Sequence, residues 1–71
     1  MQYYFRCNIS YDDFLLYYQG HVNKVEVIEQ FGRVLHVNAK YFLPFLQPEG
    51  IKGQFCLDVD EKGGFQSLKK I

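Results

Sequence analysis

The sequence has little of what disulfide-rich, membrane-spanning or secreted proteins need. Its 71 residues contain no Trp, two Pro and two Cys. Two cysteines are too few for a disulfide-dense secreted scaffold. No apolar run approaches the roughly 20 residues that a membrane span needs, and the first residues lack the charged-then-apolar layout of a secretory signal. These features predict a soluble cytoplasmic protein with no membrane partner.

An excess of charge of either sign is also missing. Lys and Arg together number 8, as do Asp and Glu, and the formal net charge is zero. Nucleic-acid-binding proteins usually carry a clear positive excess, because contacts with phosphates drive their affinity. Nucleic-acid binding is therefore possible but not favoured.

Metal-binding and cofactor motifs are absent as well. His21 and His36 are the only histidines, and no pair of His or Cys has the spacing of a structural zinc site. Asp58, Asp60 and Glu61 cluster near a Gly-Gly turn, but they do not match the spacing of a calcium-binding loop. The stretch 50–53 lacks the spacing and the following Lys of a phosphate-binding loop. We therefore expect no metal and no cofactor, and interpret the acidic cluster as a solvated hairpin end and the stretch 50–53 as a turn that leads into a strand.

Cysteine chemistry is the remaining route to catalysis. Cys7 and Cys56 each lie in a strand-like run, where a free Cys behaves as a small buried hydrophobic residue. The alternatives are a Cys7–Cys56 bridge, a reactive thiol, or a pair in which His36 faces one of the thiols. Buried, unreactive thiols are the simplest interpretation, and it predicts no catalytic residue and no enzymatic activity.

Aromatic residues are abundant, in contrast. Six Tyr and seven Phe make up 18% of the chain. Each large ring buries roughly 150–250 Å², so a few rings can build a core in a chain that is otherwise too short for one. Small domains remain only marginally stable when the free energy of this burial is set against the loss of conformational entropy on folding. Pairing with a second copy of the chain is therefore a further way to gain stability.

Alternation of apolar and polar residues predicts most of the secondary structure. Strands are predicted over residues 2–9, 22–29, 33–37, 54–59 and 65–71. The second and third form a hairpin around Gln30-Phe31-Gly32, where Gly32 supplies a positive φ. Asn38 caps a helical turn over 39–42 that Pro44 cannot extend. In the last strand Phe65 and Leu68 have opposite parity, which predicts a bulge.

One short helix is predicted after the first strand. Ser10 is a suitable N-cap for the N–H of Asp13. Apolar residues then recur at helical spacing and form one stripe, which should dock on the sheet: Tyr11, Phe14, Leu15 and Tyr18. Gly20 suits the left-handed position that ends many helices.

Together these elements predict a single α+β domain over residues 1–71. The expected architecture is a small, strongly curled antiparallel sheet of about five strands with one short helix. In this arrangement the first and last strands pair and close the sheet. The alternative is a small SH3-like barrel with an appended helix.

Four short elements give the chain a family resemblance. They are Tyr-Tyr-Gln-Gly at 17–20, Gly-Arg at 32–33, Pro-Phe at 44–45 and Gly-Ile-Lys-Gly-Gln-Phe at 50–55. In this order they resemble the short, stand-alone bacterial proteins grouped as domain of unknown function 2835, over almost the whole chain. The resemblance implies a small cytoplasmic protein of gammaproteobacterial type, and it implies no activity, cofactor or catalytic residue.

Two positions depart from that family pattern. The family usually has Pro before the Ala at position 39, where this chain has Asn38. It also tends to have Arg before Pro-Phe, where this chain has Leu43. If that Arg serves a functional surface in relatives, this chain does not carry it.

The excess of rings is the one indication of function, because so small a body cannot bury them all centrally. The candidate binding residues are Tyr17, Phe31, Arg33, Lys40 and Tyr41. Of these, Tyr17 is predicted to point away from the apolar stripe of the helix, and Phe31 to lie exposed at the hairpin tip. The favoured hypothesis is a small interaction or regulatory module that contacts a protein partner or a second copy of the chain. The alternative is a module that binds single-stranded nucleic acid or nucleotides, with rings stacking on bases beside Arg33 and Lys40. An enzyme is the third hypothesis, and it requires a pocket with a nucleophile beside a perturbed titratable group.

Overall fold

The computed structural model describes residues 1–20 and 23–71. Along the chain it has strand β1 (Gln2–Ile9), helix α1 (Tyr11–Gln19), strands β2 (Lys24–Ile28) and β3 (Val34–Asn38), a 3₁₀ helix (Ala39–Phe45), and strands β4 (Ile51–Val59) and β5 (Phe65–Lys70). His21 and Val22 lie outside the described residues, and Val22 is the predicted start of β2. The α+β class and the five strands are confirmed.

The strands form two antiparallel sheets instead of the one that we predicted. One has the order β1-β4-β5 and the other is the β2-β3 hairpin. The prediction that the first and last strands pair is wrong, because β1 and β5 lie on opposite sides of β4. The two sheets meet where the N–H of Gln30 donates to the carbonyl of Tyr4 at 2.8 Å. They do not close into a barrel, since β3 and β5 each have a single partner among the described strands.

Strand β1 follows the predicted alternation, and the 54–59 part of β4 follows it except at Cys56, which is also buried. Opposite residues of β1 and β4 are in register from Gln2 and Asp58 to Ile9 and Ile51. Phe5 and Cys7 of β1 and Phe55, Leu57 and Val59 of β4 are buried, and neighbouring residues on β1 point the other way. The predicted bulge is confirmed as a register shift between Asp58 and Val59.

Phe55 is the centre of the hydrophobic core. Its ring is fully buried, and ring centroids lie 5.8 Å away for Phe5, 5.6 Å for Phe42 and 5.3 Å for Phe45. The last two are edge-on, the geometry that aromatic quadrupoles favour. Rings from β1, the 3₁₀ helix and β4 therefore converge on one side chain.

Helix α1 begins as predicted and packs with a narrower face than predicted. The Ser10 hydroxyl accepts a hydrogen bond from the N–H of Asp13 at 3.2 Å. Phe14 is fully buried, but Tyr11 and Tyr18, the ends of the predicted stripe, are 39% and 46% exposed. A helix of nine residues buries only its middle turn. Gly20 is extended, with φ −85° and ψ 172°, so the predicted left-handed ending is wrong.

The 3₁₀ helix is longer than the predicted turn. Asn38 caps it, because its side-chain oxygen accepts from the N–H of Lys40 at 3.0 Å. The helix continues through Pro44 to Phe45, although we expected Pro44 to end it. The fixed φ of proline, about −65°, lies within the 3₁₀ range, so its only cost here is a missing N–H donor.

Gly50 joins this region to β4 at a point of close approach. Its φ is 109°, and a Cβ there would lie 2.7 Å from the backbone of Ser10 and of Tyr11. Only glycine fits both requirements. Paired backbone hydrogen bonds of 2.8 and 3.0 Å between Gln47 and Gly50 close the turn that precedes β4.

Candidate interaction surfaces

The tip of the β2-β3 hairpin is held by the side chain of Glu29. This residue is 5% exposed, and its carboxylate accepts hydrogen bonds from the N–H of Phe31 at 3.2 Å and of Arg33 at 2.7 Å. The N–H of Gly32 donates to the backbone carbonyl of Glu29 at 2.8 Å, and Gly32 has the predicted positive φ, 90°. The tip is thus a rigid turn, because Glu29 accepts hydrogen bonds from three of its backbone N–H groups.

Phe31 projects from this rigid turn. Its side chain is 86% exposed, and Ile28 and Val34 below it are 64% and 48% exposed. Ile28 and Val34 are directly opposite each other on the two strands, so their side chains share one face of the hairpin. We call Phe31, Ile28 and Val34 the hairpin patch. It is an apolar surface on a preorganised support.

A second surface is an open cleft of about 400 Å³ between β3 and the β4-β5 hairpin. We call it the edge cleft. Apolar side chains from the inner faces of the two sheets line it, and its rings come from three different elements. Its lining consists of Tyr3, Lys24, Leu35, His36, Val37, Asn38, Tyr41, Leu57, Val59, Gly63 and Phe65.

Two of the predicted cations lie on rings of the edge cleft. The Arg33 guanidinium carbon is 5.6 Å from the centroid of the Tyr3 ring, and its Nη1 donates to the Tyr3 hydroxyl at 3.1 Å. The Lys40 ammonium nitrogen is 5.2 Å from the centroid of the Tyr41 ring. Both contacts lie within the range of a cation–π interaction. The cleft is therefore bordered by positive charge.

The predicted binding residues do not form one site. Phe31 belongs to the hairpin patch, whereas Tyr41 lines the edge cleft and stacks on Phe65 with a centroid distance of 3.6 Å. Tyr41 is half-buried, not exposed as expected. Tyr17 belongs to neither surface: we predicted that it points away from the packed face of α1, but it packs against the core. The reason is that Phe14 centres the buried face, and Tyr17 lies one turn further along it.

The groups that could support catalysis lie on three different strands: Cys7 on β1, His36 on β3 and Cys56 on β4. Cys7 and Cys56 are both buried and free; Cys7 lies opposite Gly53 and Cys56 opposite Tyr4, so a Cys7–Cys56 bridge is not formed. His36 is exposed on β3. Burial raises the pKa of the Cys7 thiol to about 11, which makes it a poor nucleophile at neutral pH.

The acidic side chain of Asp60, in the β4-β5 turn, is hydrogen-bonded to the backbone. The Asp60 carboxylate accepts hydrogen bonds from the N–H of Lys62 at 2.9 Å and of Gly64 at 2.7 Å. Across the described ranges, no group of three or more His, Cys, Asp or Glu side chains is placed to hold a metal ion. Within the same ranges, no helix has the length and apolar character of a transmembrane span.

Glu29, Ile28 and Phe65 also build these surfaces, and the sequence does not predict these roles. Glu29 was assigned to a strand without a role, and its burial follows from the turn that brings the N–H groups of Phe31 and Arg33 to its carboxylate. Phe65 was taken as a strand residue, and its stacking on Tyr41 depends on a contact between distant segments. The one available signal was Ile28, an apolar residue on the more polar face of β2.

Comparison with known proteins identifies the family of the chain and does not identify a function. The sequence profile of a family described as protein of unknown function (DUF2835) matches residues 1–71, the whole chain. No curated protein and no solved structure matches the chain. The full-length match agrees with the order of the four short elements at 17–20, 32–33, 44–45 and 50–55. The chain belongs to the DUF2835 family.

Proposed function

We propose that the protein is a small bacterial, cytoplasmic interaction module without catalytic activity, and that the hairpin patch anchors a protein partner. The observation that carries this proposal is the 86% exposure of Phe31 on a turn that Glu29 holds rigid. Burying a Phe side chain is worth roughly 1.5–3 kcal/mol. A fixed turn loses little conformational entropy on binding. Such a ring is the kind of anchor that dominates protein interfaces.

Neighbouring residues extend the anchor into a continuous surface. Ile28 and Val34 are opposite each other two positions before and after the turn, and both are substantially exposed. Strand residues on the solvent face of a hairpin are usually polar. The hairpin patch therefore fits a complementary apolar pocket on a partner protein.

The test compares Phe31→Ala with a matched control. Leu16 on α1 is also apolar and 73% exposed, so Leu16→Ala removes similar exposed surface elsewhere. We expect immobilised wild-type protein and Leu16→Ala to retain the same partner from a native bacterial lysate, and Phe31→Ala to lose it with an unchanged unfolding temperature. Equal retention by Phe31→Ala would refute the hairpin patch as the anchor.

Light scattering separates the two kinds of protein partner. A mass of two chains that falls to one chain in Phe31→Ala identifies the partner as a second copy. A single-chain mass for both proteins assigns the anchor to a different protein. Either result is read together with the retention experiment.

A second candidate function, nucleotide or single-stranded nucleic-acid binding, has support from the contacts of Arg33 and Lys40. These cations lie on Tyr3 and Tyr41 beside the edge cleft. Stacking of a base, however, needs a free ring face, and Tyr41 already has Phe65 and Lys40 against its ring. Titration with short oligonucleotides at low salt tests it, and salt-sensitive binding lost in Arg33→Ala would support it.

A further inference from the structure

We propose that the edge cleft binds an extended, acidic segment of a partner protein, which adds to β3 as a new strand. This deepens the interaction role proposed above, but it uses a surface separate from the hairpin patch. Three observations support it: an edge of β3 that has no partner strand among the described residues, an apolar floor, and a lining whose described residues include Lys24 and His36 but no carboxylate.

The first observation concerns the backbone of β3. Among residues 1–20 and 23–71, β3 pairs with β2 alone. Ala39 donates to the carbonyl of Asn23 at 2.8 Å, and Glu29 donates to the carbonyl of Arg33 at 2.9 Å. Hydrogen-bonded and non-hydrogen-bonded residue pairs alternate in antiparallel strands. Both bonds therefore indicate the same phase of the β2-β3 pairing, that is, which residue pairs are hydrogen-bonded.

That phase decides which backbone groups face the cleft. Leu35 and Val37 belong to pairs that bond to β2, since they lie two and four residues from Arg33. The alternate residues Val34 and His36 therefore direct their N–H and C=O groups to the free edge, whereas the C=O of Asn38 begins the 3₁₀ helix that follows. An added strand satisfies such groups, as in other proteins that bind peptides by strand addition.

The second observation is the floor of the cleft. Leu35, Leu57 and Val59 line it together with the stacked rings of Tyr41 and Phe65. Alternate side chains of an added strand would point toward this floor and the others toward solvent, because side chains along a strand alternate between its two faces. The cleft thus selects a segment with apolar residues at every second position.

The third observation is charge. Lys24 and His36 line the cleft, and no carboxylate lines it within the described part of the chain. Arg33 and Lys40 contact two of its rings. On the turn before Gly63, Asp60 already accepts two backbone hydrogen bonds. Complementary charge gives specificity and faster association, so the solvent-facing positions of the bound segment should be Asp or Glu.

A labelled peptide tests this directly. The probe is a fluorescein-labelled peptide of about eight residues, enough to span the five residues of β3, in which Val or Phe alternates with Asp or Glu. The control peptide has Lys at each acidic position. We expect the acidic peptide to bind and the basic peptide to bind at least about tenfold more weakly.

Protein variants locate the binding. Lys24→Glu should weaken binding of the acidic peptide by about tenfold, whereas the same charge change at exposed Lys52, which is not part of the cleft, should have little effect. Phe31→Ala should leave peptide binding unchanged. This separates failure of the edge-cleft proposal from failure of the hairpin patch proposal.

Hydrogen exchange of the wild-type protein reports the pairing without any variant. On saturation with the acidic peptide, the amide protons of Val34 and His36 should exchange at least about tenfold more slowly, because the added strand accepts from them. Absence of peptide binding at about 1 mM, equal affinity for the basic peptide, or unchanged exchange at both amides would overturn the proposal. Tighter binding of an oligothymidine strand than of the acidic peptide would also overturn it.

Discussion

Replacement of Glu29 tests how the hairpin tip is built. Its carboxylate accepts from the N–H of Phe31 at 3.2 Å and of Arg33 at 2.7 Å, and the side chain is almost fully buried. In Glu29→Ala both donors lose this acceptor. Glu29→Gln keeps one oxygen in place but removes the negative charge, so it is the conservative comparison.

The magnitude follows from the two hydrogen bonds. A hydrogen bond to a charged group contributes about 1.5–3 kcal/mol net. Water can reach part of this site and replace some of the loss, so we expect Glu29→Ala to lower the free energy of unfolding by about 2–3 kcal/mol. For Glu29→Gln we expect about 1 kcal/mol, because a neutral acceptor remains.

Amide exchange measured by NMR gives the local result. In Glu29→Ala the amide protons of Phe31 and Arg33 should exchange about 30- to 150-fold faster, the ratio that about 2–3 kcal/mol implies. The amide of Val25, a buried residue of β2, reports the global loss of stability and should accelerate by about the same factor. Unchanged exchange at Arg33 would refute the assignment of the carboxylate as the support of the tip.

Three further predictions concern the core. Phe55→Ala should lower the free energy of unfolding in urea by about 3–5 kcal/mol, because three rings pack on Phe55; a change below about 1 kcal/mol would contradict this. Gly50→Ala should lower the free energy of unfolding by at least about 3 kcal/mol, through backbone strain and overlap with neighbouring atoms. Gly63→Ala should lower it less, because Gly63 has φ 83° but open space around it. Equal urea midpoints for the two variants would exclude the close contact at Gly50. Cys7→Val should remove a loss of stability that the wild type shows at alkaline pH. Burial raises the pKa of Cys7 from 9.0 to about 11, so the wild type loses up to about 3 kcal/mol of its free energy of unfolding between about pH 9 and pH 11. Urea unfolding of both proteins at about pH 8 and 10.5 should therefore show a difference in stability that depends on pH.

The sign of the Cys7 prediction follows from proton binding. Between about pH 9 and pH 11 the unfolded chain has lost the thiol proton, whereas the folded protein retains it. Folding is therefore coupled to proton uptake, and stability falls as the pH rises through this interval. The contribution is fully present below about pH 9. Parallel pH profiles for wild type and Cys7→Val would show that burial of this thiol does not favour its protonated form.

Local patterns predicted the elements well. Alternation located β1, β4 and the β2-β3 hairpin, and the caps at Ser10 and Asn38 formed as expected. These predictions succeed because strand alternation and capping depend on neighbours within a few residues. The mismatch in parity between Phe65 and Leu68 predicted the bulge for the same reason.

The candidate residues were predicted less well than the elements. Phe31 is exposed as expected, since a residue at the tip of a short hairpin has few neighbours. Tyr17 and Tyr41 are partly buried instead. Their environments depend on how α1 and the 3₁₀ helix pack on the rest of the protein. The residue pattern within a short helix does not indicate which of its turns contacts the core.

By itself, the sequence determined most of each strand, the N-caps at Ser10 and Asn38, the turn at Gly32 and the absence of metal-binding and phosphate-binding motifs, because these depend on short-range geometry and on residue type. Tertiary structure alone decided that β4 lies between β1 and β5, that Glu29 turns inward to hold the tip, and that β3 keeps a free edge beside an apolar cleft. Each of these depends on which distant segments meet. The free energy of such contacts comes from burying side chains of both segments together, so neither segment's own sequence specifies it.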